Sequence, residues 1–408
     1  MSDQPGEDYF PLTVETIVDY LARHKTVAAI LGGDPEDWSV SEIGDGNLNL
    51  VFHVESTTAA IIAKQALPYI RARGEDFPLP LSRAYFEYEA LLRQSNRAPG
   101  ATPSTILFDS KLALTVMEFL APHIILRKGL VRGLLYPRLA EDMGKFLART
   151  LFRGSQFSMN EAELNADIAM FASNSALCDV TNARVFTEPY CNAVLNRWTS
   201  PQLDETVARI RSDDEFKHGI AEMKRIYKSK PQSLLHGDLH SGSVMVTEDD
   251  TRVIDPEFAF YGPMGFDVGA LLANLLIAYI VQPAHASDTD DRKNYASWIL
   301  ETIEGVWSNF VEEFTHLWHS EQIETAENEG ALSLLLAEIL EDSLGFSAAK
   351  MTRRVIGAAH VEDLESIANT DERAIYEKKV LTVARTLLLE RKEFTRIDAV
   401  TAVARNAR

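Results

Sequence analysis

Cysteine is nearly absent from this chain: Cys178 and Cys191 are its only two among 408 residues, and their spacing fits no metal-binding or redox motif. A disulfide framework is therefore not what stabilises the fold, and a reducing, cytoplasmic setting is expected. Basic residues are scarce as well, 40 Lys and Arg against 60 Asp and Glu, for a formal net charge of −20. No basic stripe offsets that excess of acid, so neither nucleic acid nor an anionic membrane is expected as a partner. Long apolar runs are missing too. The longest, residues 268–281, is interrupted by Asn274 and is short for a bilayer span, so it reads as a buried helix. The opening MSDQPGEDYF is acidic and has no apolar core, so no signal peptide is expected. No internal repeat or low-complexity segment occurs. What remains, 46% apolar and 25% charged residues, describes an ordinary globular protein long enough for two lobes.

The most informative stretch is LLHGDLHSGSVMVTEDDTRVIDPEFAFYGPMGFDVGA, residues 234–270. Residues 244–246 and 251–254 are β-prone and flank the polar turn Glu248-Asp249-Asp250, so they should pair as a hairpin. Pairing would set Asp238, before the first strand, beside Asp255 and Glu257, after the second. Three converging carboxylates repel unless a cation joins them. Mg²⁺, which takes one or two protein carboxylates plus waters and substrate phosphates, suits that requirement. In phosphoryl transfer one carboxylate also orients the attacking hydroxyl and accepts its proton. Asp238 is the candidate for the hydroxyl, and Asp255 with Glu257 for the metal. His236 and His240 read as hydrogen-bonders that fix this loop, and Asp267 as a helix N-cap or a brace for it.

Upstream, Thr13 can cap a helix carrying Val14, Ile17, Val18 and Leu21 on one face. The segment WSVSEIGDGNLNLVFHVES then reads as two strands around Gly44-Asp45-Gly46-Asn47. Such a turn is either a plain hairpin or a phosphate cradle, with Asn47 or Asn49 adding side-chain contacts. The run AIIAK that follows favours the cradle, because Lys64 ends an apolar strand and needs an acidic partner or a phosphate. Glu87 and Glu89, in the helical stretch SRAYFEYEALLRQ, both offer a carboxylate. Two further strands, residues 105–107 and 112–117, lead to Met117-Glu118-Phe119. Residues 140–152 and 203–227 are helical patterns, and residues 286–291 are a candidate exposed loop. In GFSAAKMTRRVIGAAHVEDLES, Arg353 and Arg354 stand side by side in a chain poor in basic charge. Arginine's planar donor fork suits phosphate or sugar hydroxyls.

The pattern H-G-D-L-H-x-G with D-P-E following resembles the kinase-like phosphotransferases of small molecules. More closely, HGDLHSGSVMV, VIDPEFAFYGPMGFD, GDGNLNLVF, KQALPYIR and the arginine-pair segment resemble the methylthioribose kinase family, from about Tyr9 to about Ser366. The resemblance implies an α+β, protein-kinase-like two-lobed fold, with a small β-rich lobe at 1–118 and a larger, mainly helical lobe at 119–408. It implies ATP-dependent phosphorylation of the 1-hydroxyl of S-methyl-5-thioribose in methionine salvage, with Mg²⁺, by a homodimer. Gly44, Asp45, Gly46, Asn47 and Asn49 would then meet the phosphates. Lys64, paired with Glu87 as the better match to the acidic position, would contact the α- and β-phosphates. Met117, Glu118 and Phe119 would form the hinge that holds adenine. Asp238 would act on the hydroxyl, Asp255 and Glu257 on the metal, and Arg353 with Arg354 would hold the sugar and the transferring phosphoryl. Ser243 stands where the wider superfamily carries an asparagine as second metal ligand. A kinase of another small hydroxylated substrate, such as an aminoglycoside, a choline-like alcohol or a different sugar, would share Asp238 and Asp255 without needing the arginine pair.

Overall fold

The computed structural model describes residues 6–44, 48–71, 74–287, 289–322 and 329–408. The chain forms two compact units: Met1–Pro122 with Asn174–Leu177 and Val253–Ala259, and the remainder. The segment carrying Asp255 and Glu257 thus belongs to the first unit, although the sequence reading gave it to the second lobe.

In the first unit, helices α1 (Ile17–Ala22) and α2 (Lys25–Leu31) precede strands β1 (Ser39–Glu42), β2 (Asn49–Glu55) and β3 (Ala60–Ala66). A short pair, β4 (Tyr69–Ile70) and β5 (Gly74–Pro78), leads to helix α3 (Arg83–Arg97) and strands β6 (Thr105–Asp109) and β7 (Leu114–Glu118). The five longer strands form one sheet in the order β1-β2-β3-β7-β6, antiparallel throughout. Side chains alternate along a strand, so Phe52, Val54, Ile61, Ala63, Leu114 and Val116 share one face. There they form a core with Ile17, Leu21, Val27 and Leu31 of the two helices. Lys64, one residue beyond Ala63, takes the other face. The first helix begins at Ile17, later than the sequence reading placed it. Thr13 folds back through its own N–H, which donates to Thr16 Oγ1 at 2.9 Å, and Val14 is left exposed.

The second unit is mainly helical. Strand β8 (Ile124–Ile125) leads into α4 (Leu126–Arg132), α5 (Leu139–Arg153), α6 (Glu161–Phe171), α7 (Ser175–Phe186), α8 (Asp204–Ser212) and α9 (Asp214–Ser229). The single helical pattern expected over 203–227 is broken at Asp213, whose carboxylate accepts from Phe216 N–H at 3.0 Å and caps α9. Strands β9 (Ser233–Leu235), β10 (Val244–Val246), β11 (Thr251–Val253) and β12 (Phe260–Gly262) frame the central motif. As expected, β10 and β11 are neighbours, with Thr247 N–H donating to Asp250 O at 2.9 Å across the turn. The order β11-β10-β8 completes one small sheet, and β9 pairs with β12 in another. The chain ends in α10 (Gly265–Val281), α11 (Lys293–Glu321), α12 (Glu329–Ile356), α13 (Glu362–Glu365), α14 (Thr370–Leu389) and α15 (Ile397–Ala407). The described residues of 286–291 are exposed, as expected, and Asp288 lies outside the described residues.

Helix α10 is long and apolar enough to cross a membrane, but every residue of it is buried inside this unit. Its neighbour α12 approaches closely because Gly265 and Gly269 leave space for it. A Cβ built at Gly265 would lie 2.8 Å from Ser343 N, and one at Gly269 would overlap Ser343 O. A Gly269→Ala substitution is therefore expected to lower stability by ~1–3 kcal/mol, because two packed helices must separate to admit one methyl. Urea unfolding followed by circular dichroism measures this directly, and an unchanged midpoint would show that the helices yield freely.

Candidate functional site

The first unit gathers a knot of buried charge. Lys64 Nζ donates to Glu87 Oε1 at 2.8 Å and to Asp255 Oδ1. Glu89 instead pairs with Arg93 at 2.5 Å, one turn along α3. Carboxylate oxygens of Glu87, Asp255 and Glu257 lie within 4.8 Å of one another. Burial alone would push the Lys64 ammonium down, but Asp255, Glu87 and Glu257 outweigh it and hold Lys64 above its ordinary value. Burial pushes the Glu87 carboxyl up to about 7, against the pull of Lys64. Burial raises Glu257 likewise. Three carboxylates beside one lysine leave excess negative charge, and their hard oxygen donors fit a divalent cation such as Mg²⁺.

Two side chains to which the sequence reading gave no site role build this knot. Arg83 is fully buried, with Nη1 donating to the Leu67 and Pro80 carbonyls at 2.7 and 3.0 Å, and Nη2 to Leu48 O at 3.0 Å and Asn49 Oδ1 at 2.9 Å. Its Nε lies 3.4 Å from Glu257 Oε2. Asn174 Nδ2 donates to the carbonyls of Glu257 and Ala259 at 2.9 and 3.0 Å, pinning the D-P-E segment from behind. Asp255 itself adopts φ +69°, a left-handed conformation that Asp tolerates better than bulkier residues. Its carboxyl is the open one of the three, with 44% of the side chain exposed.

Two expectations for the nucleotide need correction. Asn49 does not present its amide to a phosphate. It is buried, accepts from Arg83, and donates through Nδ2 to Glu257 Oε2 at 3.2 Å. Glu118 has no N–H to offer adenine, because that N–H donates to Ser104 O at 2.9 Å while the Glu118 carboxylate accepts from Ser104 N–H at 3.0 Å. Met117 pairs with Ile62 in the sheet and shares the face of Lys64, and Phe119 packs on His53 with ring centres 4.1 Å apart. Gly44 is exposed with open space where a Cβ would stand. Asp45, Gly46 and Asn47 lie outside the described residues.

The second unit holds Asp238 in an equally deliberate setting. Asp267 is the brace, not the N-cap, of the alternatives open to it: its carboxylate accepts from His236 N–H at 2.6 Å and Gly237 N–H at 3.0 Å. Gly237 has φ +86°, which a side chain would strain. Ser243 is buried and donates its hydroxyl to Asp238 O at 3.0 Å, closing the loop from the other end. Asp238 Oδ1 accepts from Lys350 Nζ at 2.8 Å and lies 3.9 Å from Arg353 Nη1. Its Oδ2 lies 3.3 Å from His240 Nε2. Burial would raise the Asp238 carboxyl, yet Lys350, His240 and Arg353 together hold it well below the usual carboxylate range. Arg354 is buried, gives Nη1 to Ala359 O at 3.2 Å, and has Nε and Nη2 without a partner. Arg127 Nη2 donates to His240 Nδ1 at 3.2 Å, and its Nε to Ser241 Oγ at 3.2 Å.

Lys350 and Arg127 were not singled out from sequence. Lys350 had a readable signal, since it precedes Arg353 by one helical turn and so shares its face. Arg127 had none. His240 behaves as the structural hydrogen-bonder expected of it. Its Nδ1 accepts from Gly242 N–H at 2.8 Å, which leaves the proton on Nε2, facing Asp238. Burial, with Arg354 and Arg127 adding to it, lowers the imidazole from 6.5 to about 4 despite Asp238. Between those two values the unfolded chain binds more protons, so His240 makes folding less favourable as pH falls from about 6.5 to about 4. In a two-dimensional ¹H–¹³C titration the His240 Cε1–H signal is expected to keep its neutral position from pH ~8 down to ~5. A midpoint near the free-imidazole value would contradict this burial.

An open carboxylate loop, a lysine–glutamate couple and a braced H-G-D loop, on an α+β fold, define a kinase-like phosphotransferase of small molecules. The family model described as "Phosphotransferase enzyme family" matches residues 39–298. The chain is 45% identical to a methylthioribose kinase of Escherichia coli O45:K1 (strain S88 / ExPEC), over 98% of both chains. It is 43% identical to methylthioribose kinase 1 of Oryza sativa subsp. japonica, over 97% of this chain and 95% of that one. To the methylthioribose kinase of Geobacillus kaustophilus (strain HTA426) it is 39% identical, over 94% and 96%. The chain therefore belongs, within the phosphotransferase enzyme family, to the methylthioribose kinases.

Proposed function

We propose that the protein transfers the γ-phosphoryl group of ATP to the 1-hydroxyl of S-methyl-5-thioribose, giving S-methyl-5-thioribose 1-phosphate in methionine salvage. The observation that carries this reading is Asp238, a half-buried carboxylate kept ionised by Lys350 and Arg353 in a loop braced by Asp267 and Ser243. Asp238 receives the acceptor hydroxyl, orients it, and takes its proton. So acidic a carboxylate pulls weakly on that proton early on. This suits a loose transition state, in which positioning and charge matter more than early deprotonation.

The first unit is assigned the nucleotide and the second the sugar. Lys64, steadied by Glu87, meets the α- and β-phosphates, and the glycine-rich turn at Gly44 covers them. Met117 and Phe119 line the purine's place. Asp255 and Glu257 would hold Mg²⁺, whose charge offsets that of the phosphates. Arg353 and Arg354 hold the sugar and balance charge on the transferring group, which gives the unpartnered Nε and Nη2 of Arg354 a ligand. The proposed setting is a homodimer in the cytoplasm, with ATP and the sugar as its small-molecule partners.

An Asp238→Asn variant is expected to bind ATP with nearly unchanged affinity in calorimetry while its turnover falls by ~10²–10⁴-fold in an ADP-coupled assay. Wild-type turnover in that variant would show that Asp238 does not take the hydroxyl proton.

A further inference from the structure

The two oxygens of the Asp238 carboxylate are held differently. Oδ1 takes a charge-assisted bond from Lys350 at 2.8 Å, while Oδ2, among the described residues, faces the more distant His240 Nε2 at 3.3 Å. Arg353, at 3.9 Å, is too far to bond Oδ1 directly. Lys350 rises from α12, is 2% exposed, and sets its ammonium 4.6 Å from the centre of the Phe266 ring. An ammonium buried this deeply costs several kcal/mol unless it is paired, and an apolar side chain would fill the same space more favourably. Its presence is best understood through the one carboxylate it holds.

We propose that Lys350 is a positioning residue for phosphoryl transfer: it fixes the Asp238 carboxylate through Oδ1 and so presents Oδ2 to the acceptor hydroxyl. The proposal rests on Asp238 being the group that takes that hydroxyl's proton. In the transfer, the acceptor oxygen forms its bond to the γ-phosphorus as the bond to the β–γ bridging oxygen breaks. The hydroxyl proton passes to Asp238 Oδ2, ADP leaves with the bond's electron pair, and Lys350 keeps its own protons throughout. The charged and titratable groups facing this pair are Arg353 and Arg354 on α12, His236 and His240 in the loop, and Asp267 on α10. Arg184 of α7 and Arg127 of α4 act on it through Arg353. Because Lys350 is the cation in contact, its loss should free the carboxylate to turn and to bind a proton more readily.

The test compares Lys350→Met and Lys350→Gln with the parent enzyme, measuring kcat and both KM values against pH. For Lys350→Met, kcat is expected to fall by ~10–100-fold with KM for ATP unchanged, as a misplaced group costs rate more than affinity. The acid limb of kcat is expected to move up by ~1–3 pH units once the opposite charge is gone. Lys350→Gln keeps a donor without the charge, so it should recover part of kcat but not the limb. Added to Asp238→Asn, Lys350→Met should change kcat by less than ~2-fold, because it acts through the group already removed. A folded variant of either kind with the parent's kcat and acid limb overturns the proposal, and if the Met variant does not fold, the Gln variant decides alone. Full turnover in Asp238→Asn by itself would instead overturn the assignment of Asp238, and the role of Lys350 with it.

Discussion

Carboxyl groups packed against cations, largely out of solvent, are the constraint on which both halves of this chain depend. In the first unit Lys64 stands among Glu87, Asp255 and Glu257, with Arg83 behind them. In the second, Lys350 and Arg353 stand against Asp238. None of these ions would be tolerated alone in a desolvated position, since an isolated buried charge costs several kcal/mol. Each survives because its partners are fixed in place, and fixed charge is what a phosphoryl-transfer enzyme requires.

The backbone around each cluster is held accordingly. Asn174 grips the carbonyls of Glu257 and Ala259, and Asp267 grips the N–H groups of His236 and Gly237. These braces use side chains that are themselves buried, so the loops that carry Asp255, Glu257 and Asp238 are anchored to cores rather than left to solvent. The net charge of −20 also takes on a different meaning. The protein is acidic as a whole, yet it places Lys350, Arg353, Arg354 and Arg127 around one aspartate. A local field of that kind can suit an anionic group that the global balance would disfavour.

Much of this was legible in the sequence, for identifiable reasons. The hairpin at residues 244–253 and the buried apolar helix followed from periodicity and turn chemistry, and the α+β class from the family resemblance. Lys64 at the end of an apolar strand demanded an acidic partner or a phosphate, and the structure gives it Glu87 and Asp255. What escaped notice depended on contacts between residues far apart in the chain. Asn49 looked like a phosphate-facing polar residue, and only the fold shows that it joins Arg83 to Glu257. Glu118 looked free to meet a purine, but Ser104, on a neighbouring stretch, holds both its N–H and its carboxylate. Arg127 reaches His240 across more than a hundred residues, a pairing no local pattern announces.

The most direct measurement is ADP release from ATP with S-methyl-5-thioribose as acceptor, followed with Mg²⁺ present and after its removal by chelation. ADP is expected to form in step with the 1-phosphate of the sugar, and only while the metal is present. ADP formed equally fast without the sugar, or a clear preference for an alcohol that lacks the thioribose, would contradict the function assigned to these two clusters.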